Sequence, residues 1–167
     1  MAETTINISD RIRTGLINLI KAESWFANNY TRNGITQVYE EPFESVTISN
    51  YPAISLYDFT SIDFTQEQFI IPSREQFILE VAYQSDCWRN AKVNVSKDLL
   101  SARLTLRNWK IQDPTTNDLM SIIRDLTIIS VKPIGAVEDR SRMWTYIAEL
   151  SFYVDYEEGF YPDDGLN

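Results

Sequence analysis

Cys87 is the only thiol of the chain, and the residue that would normally activate it is missing, because the 167 residues include no histidine. That absence removes the commonest general base, the usual serine and cysteine triads and most transition-metal sites. Asp86, next to Cys87, disfavours a thiolate, so the cysteine is expected to be a small buried hydrophobe and not a nucleophile. The glycines at positions 15, 34, 135, 159 and 165 lie too far apart for a phosphate-cradling loop or a dinucleotide fingerprint. Carboxylates pair at Glu40-Glu41, Glu157-Glu158 and Asp163-Asp164, but adjacent residues on an extended strand point to opposite faces and cooperate poorly in acid–base work. A hard cation could sit at Asp163-Asp164 beside Gly165, yet the spaced ligands of a calcium loop are missing, and solvated charge is the simpler role. Arg140 and Arg142 flank Ser141 and would share one face of an extended segment. They either meet an acidic rim on a partner or keep a loop in solution. No catalytic residue, cofactor site or metal site is expected, and the chain does not read as an enzyme.

Composition bounds the remaining possibilities. Fifteen Lys plus Arg stand against 24 Asp plus Glu, a formal charge of −9, so gripping DNA or RNA is disfavoured on average. A chain of this length fits one domain, here residues 1–167 with a core over about 9–156. Such a domain buries about 70% of its unfolded surface and needs no disulfide or metal staple. Aromatics make up 13%, and their large areas serve a core or an interface equally well. Met1 to Asp10 is polar without a basic region ahead of an apolar run, so no secretory signal is expected. No stretch approaches the roughly 18 apolar residues of a membrane span. A reducing aqueous compartment is the expected setting.

The elements that would carry these residues follow from periodicity. Ser9 or Asp10 can cap a helix to about Asn29, with Ile12, Leu16, Leu19, Ile20 and Phe26 at its apolar positions. Asn33-Gly34 suits a turn, and Ile35 to Glu40 alternates as a short strand closed by Pro42. Ala53 to Phe59 and a segment from Glu75 onward read as two further strands. Between them, residues 60–74 hold Ile62, Phe64, Phe69 and Ile71 but are broken by Pro72, and read as a protruding apolar hairpin or arm. Such an arm packs under its own domain or inserts against a neighbouring subunit. Trp88 to Trp109 forms a second long helix through Ala91, Val95, Leu99, Ala102 and Leu106. Asp113-Pro114 opens a short helix with Leu119, Ile122 and Ile123, and Leu126 to Lys132 is a strand stopped by Pro133 and Gly135. From Trp144 to Tyr156 every even position is apolar, a period of two that places one face on a core and one nearer solvent. Phe160 and Tyr161 then stand in a tail over residues 157–167, expected to be a contact element. The expected fold is α+β, a mixed, mainly antiparallel sheet flanked by two long helices and one short one.

The helix carrying Leu16 to Ile20, then Tyr39-Glu40-Glu41-Pro42, then Tyr51-Pro52-Ala53-Ile54-Ser55-Leu56, resembles the tail-terminator proteins of long-tailed bacteriophages. The Ala91-to-Trp109 helix, the short helix with Leu119 and Ile122, and the closing Trp144-to-Tyr156 strand are similar to that layout too. The resemblance covers Ser9 to Tyr156 and leaves the arm and tail outside it. It implies a virion protein made in the bacterial cytoplasm, a homo-oligomer forming a hexameric ring. That ring caps the tail tube, stops its polymerisation and joins the tail to the head connector, while DNA passes through the lumen without specific binding. Partner-contact candidates are Ile62, Phe64, Phe69, Ile71, Arg140, Arg142, Phe160 and Tyr161. Alternatives are another neck or tail-completion protein, a tail-tube subunit, or an acidic module that binds a basic host protein.

Overall fold

Strong alternation at the end of the chain makes that segment the spine of the structure. The computed structural model describes residues 8–32, 35–36, 38–60, 70–109, 123–138 and 142–159. The chain begins with α1 (Ile8–Lys21) and α2 (Ser24–Tyr30), then three two-residue strands, β1 (Thr31–Arg32), β2 (Ile35–Thr36) and β3 (Val38–Tyr39). A 3-10 turn at Phe43–Ser45 precedes β4 (Ala53–Thr60) and β5 (Ile70–Ser85). Helix α3 (Trp88–Arg107), β6 (Ile123–Glu138) and β7 (Trp144–Gly159) complete it. The fold is α+β, and its main sheet has five strands in the order β3-β4-β5-β7-β6. Strand β3 runs parallel to β4 and every other neighbour is antiparallel, so the sheet is mixed.

Strand β7 lies between β5 and β6, and its even positions turn toward the helices. Tyr146, Ala148, Leu150, Phe152, Val154 and Tyr156 are all buried, against Phe77, Leu79 and Val81 of β5 and Ile54 and Leu56 of β4. Helix α1 adds Ile12, Leu16 and Ile20, and α3 adds Ala91, Val95, Leu99, Ala102 and Leu106. Each large apolar side chain fully buried here stabilises the fold by roughly 1.5–3 kcal/mol. The opposite face is less bare than a solvent-facing reading expects. Segment 39–52 folds over part of it, so that Phe43, Ala53 and Ala82 form a second small core with Tyr39, Val46, Ile48, Tyr51 and Ile147 around them.

Four expectations need correction. The first long helix is two helices, of 14 and 7 residues, leaving α3 with 20 as the one long helix among the described residues. Phe26 stands seven residues after the buried Leu19, about 20° short of two full turns, so periodicity alone would carry one helix through it. The chain instead closes α1 with Glu23 N–H donating to the Ile20 carbonyl, and the Glu23 carbonyl accepts from Phe26 and Ala27 to start α2. On this second helix Phe26 is buried. Second, the strand expected over Ile35 to Glu40 divides: β2 pairs with β1 in a separate ladder, and only β3 joins the main sheet.

Third, residues 70–74 are not the closing limb of a free arm. They open β5, with Ile70 opposite Gly159, Ile71 opposite Glu158 and Pro72 opposite Glu157. The β4 register ends at Thr60 opposite Gln76, so at Pro72 the described residues give β5 one neighbour, β7. A proline without its N–H is tolerated on such an edge. Fourth, β6 does not stop at Pro133 and Gly135 but continues to Glu138. It is the edge strand, where a missing donor can face outward at no cost. Register shifts fall between Ile123 and Asp125, Ile128 and Ser130, and Pro133 and Gly135. Arg124, Ile129 and Ile134 are therefore the extra residues of three bulges. Residues 113–122 of the expected short helix lie outside the described residues, while Ile123 opens β6.

Candidate functional site

Polar groups inside the fold are tied to structure before chemistry. Asp98, on the buried side of α3, is 2% exposed. Its Oδ2 accepts from the Tyr30 hydroxyl at 2.7 Å and from the Tyr83 hydroxyl, which joins α2, α3 and β5 at one carboxylate. Burial, and then the Asp98 charge, push the Tyr30 hydroxyl far above the ordinary phenol range, so it remains a donor. Across the sheet, Glu80 is 5% exposed and accepts from the Phe43 N–H at 2.8 Å and from the Tyr57 hydroxyl at 3.3 Å. Burial raises its pKa above the ordinary value, and those two hydrogen bonds pull the other way. Its direct neighbour on β7 is Glu149, whose charge raises it further. Arg74 makes a two-pronged pair with Asp155, at 2.6 and 3.0 Å, and lies 5.1 Å from the centre of the Tyr153 ring. These groups have partners within the fold. Among the described residues no three His, Cys, Asp or Glu side chains are grouped to hold a metal.

The surface available to a partner lies on the opposite flank. Helix α3 covers β5 and β7 more fully than β6, so the helix-side face of β6 overhangs it. Val131 stands opposite Leu150 and Pro133 opposite Ala148, the core side of β7, yet Val131 is 49% exposed. Facing them across the gap, Leu100 on α3 is 56% exposed, and Leu104, one turn on, is 50% exposed. The gap is a groove of about 320 Å³, floored by Leu99, Tyr146 and Ala148, with Lys92, Ser96 and Arg103 along its helical side. Trp88 lies edge-on to the lining residue Tyr146, with ring centres 6.3 Å apart. The bulge residues Ile129 and Ile134 extend the exposed apolar surface along β6, at 44% and 49% exposure. An apolar groove with two cations at its rim can seat apolar side chains attached to acids.

The expected contact residues fall mostly elsewhere. Ile62, Phe64, Phe69, Arg140, Phe160 and Tyr161 lie outside the described residues. The backbone of Ile71 belongs to β5 opposite Glu158, and its side chain is outside the description. Arg142 is exposed just before β7, at a positive φ of 61°. Cys87 is exposed at the start of α3, not buried as expected. Sequence reasoning missed the groove, although Leu100 and Leu104 were visible as leucines four apart beside the apolar stripe of α3. No helix among the described residues is long and apolar enough to cross a membrane. No protein-family model and no curated protein matches the chain.

Proposed function

We propose that this chain is a structural assembly subunit, and specifically a ring-forming tail terminator of a long-tailed bacteriophage. The exposed apolar surface of α3 and β6 carries the assembly reading: Leu100 and Leu104 on α3 and Ile129, Val131 and Ile134 on β6 are large apolar side chains left exposed. A surface of this kind belongs at a contact between proteins. The terminator identity comes from the order of elements between Ser9 and Tyr156 and from the family likeness it carries. In that role a hexameric ring caps the tail tube in the virion and meets the head connector. The charge of −9 suits a lumen through which DNA slides without being held.

Native mass spectrometry of the purified chain, alone and with tail tubes, tests the reading. A closed ring of one size is expected. Open-ended filaments would reassign it to a tail-tube subunit, and a strict monomer in both conditions would overturn it. The net charge also favours a second reading, an acidic module that binds a basic host protein. Binding of that kind weakens steeply with salt, whereas a ring held by apolar contacts does not.

A further inference from the structure

The α3/β6 groove combines an apolar surface with two cations at its rim. Among the described residues, neither Lys92 nor Arg103 is paired with a carboxylate. Lys92 lies instead 5.1 Å over the Trp88 ring. A matching occupant would join bulky apolar rings to carboxylates over a few residues. This chain holds such a segment after β7: Phe160, Tyr161 and Pro162, followed by Asp163 and Asp164.

Reach decides which copy supplies it. The groove floor on β7 is Tyr146 and Ala148, and β7 ends at Gly159, eleven residues beyond Ala148 on the same strand. At a rise of about 3.3 Å per residue, Gly159 stands roughly 36 Å from that floor. Phe160 and Tyr161 follow Gly159 directly, so extended chain carries them only about 7 Å further. Their rings cannot reach the floor of their own groove. They can reach that of another copy.

We propose that residues Phe160 to Asp164 of one copy dock in the α3/β6 groove of the next, in trans. The rings lie against Leu100, Val131 and Pro133, and the two aspartates turn toward Lys92 and Arg103. Donor and acceptor occupy different ends of β7, so the contact is head to tail and repeats around a ring. The inference rests on the assembly reading and names the segment that joins its subunits.

Two full-length variants test it. Phe160→Ser with Tyr161→Ser disables the tail and leaves the groove. Leu100→Asp disables the groove, at a position already 56% exposed, and leaves the tail. Each is expected to match the thermal midpoint of the parent diluted to monomer and to be monomeric by native mass spectrometry. Their mixture should give a one-to-one dimer and nothing larger, because one intact tail and one intact groove remain. A fluorescent peptide of residues 159–167 should bind the tail variant and lose roughly tenfold in affinity when Leu100→Asp is added. If both variants assemble like the parent, or the peptide fails to bind, the docking is overturned while the ring reading stands. A parent that is monomeric at every concentration removes the ring reading, and the peptide titration then decides the docking by itself.

Discussion

Asp98 and Glu80 are both carboxylates buried in the fold, and their partners give them different consequences. Asp98 accepts from two tyrosine hydroxyls on separate elements, the buried Tyr30 and the part-buried Tyr83, so removing it takes that acceptor from both. Asp98→Ala should cost about 3 kcal/mol in urea unfolding, and Asp98→Asn, which keeps an acceptor, clearly less. Equal losses in the two variants would mean that packing and not hydrogen bonding is what Asp98 supplies. Glu80 makes the pH-dependent contribution. Its pKa is raised in the folded state, so the folded chain holds that proton to higher pH than the unfolded chain does. The unfolded carboxyl therefore ionises first, and stability falls as pH rises from the ordinary carboxyl value through the raised one. Glu80→Gln removes that loss. The variant should gain stability relative to the parent as pH rises above the ordinary carboxyl value, read as a growing shift between urea midpoints. A difference independent of pH would show that the hydrogen bonds from Phe43 and Tyr57 fully offset the burial.

At the scale of elements, the edge strand β6 is where folding and assembly should separate. Ile129 and Ile134 are bulge residues with exposed side chains, so a charge there costs the monomer little. The double variant Ile129→Lys with Ile134→Lys should move the thermal midpoint by under about 3 °C. Its assembly, followed by light scattering, should weaken at least tenfold if this flank is a contact. Unchanged assembly would remove β6 from the interface. Legibility also divides by element. The core face of β7 was readable because one strict alternation runs from Trp144 to Tyr156, with a neighbouring strand on each side. The end of α1 was not, because Ala22 and Glu23 are not stop residues and Phe26 keeps helical spacing with Leu19 across the break. Pro72 and Pro133 misled for one shared reason. A proline reads as a stop unless the strand is known to lie at an edge, and strand order is a tertiary fact. The groove was hidden likewise, since the exposure of Leu100 depends on how far the sheet extends past the helix.

Across the whole molecule, the helices and main core occupy one side of the sheet, and the shorter loop-built core occupies the other. The five-stranded sheet and its α+β class were within reach of pattern reasoning, whereas a quaternary state is not encoded in any periodicity. Ring formation driven by the apolar flank predicts a salt response opposite to that of an acidic binding module. Raising salt from about 0.05 M to about 0.5 M should leave the ring intact, because its apolar contacts persist and screened self-repulsion among net negative copies offsets screening of the Asp163 and Asp164 contacts to Lys92 and Arg103. Sedimentation velocity at the two salt concentrations checks this. Dissociation at high salt would assign the contact to charge.

The bulges of β6 have a geometric consequence beyond their exposed side chains. Its 16 residues, Ile123 to Glu138, run beside only 13 of β7, Trp144 to Tyr156. Three surplus residues amount to about 10 Å of extra contour. Two paired strands of unequal contour cannot both be straight, so the outer margin must coil around the inner one. The unequal lengths also fasten the alignment, because sliding β6 by a single residue would displace all three bulges at once.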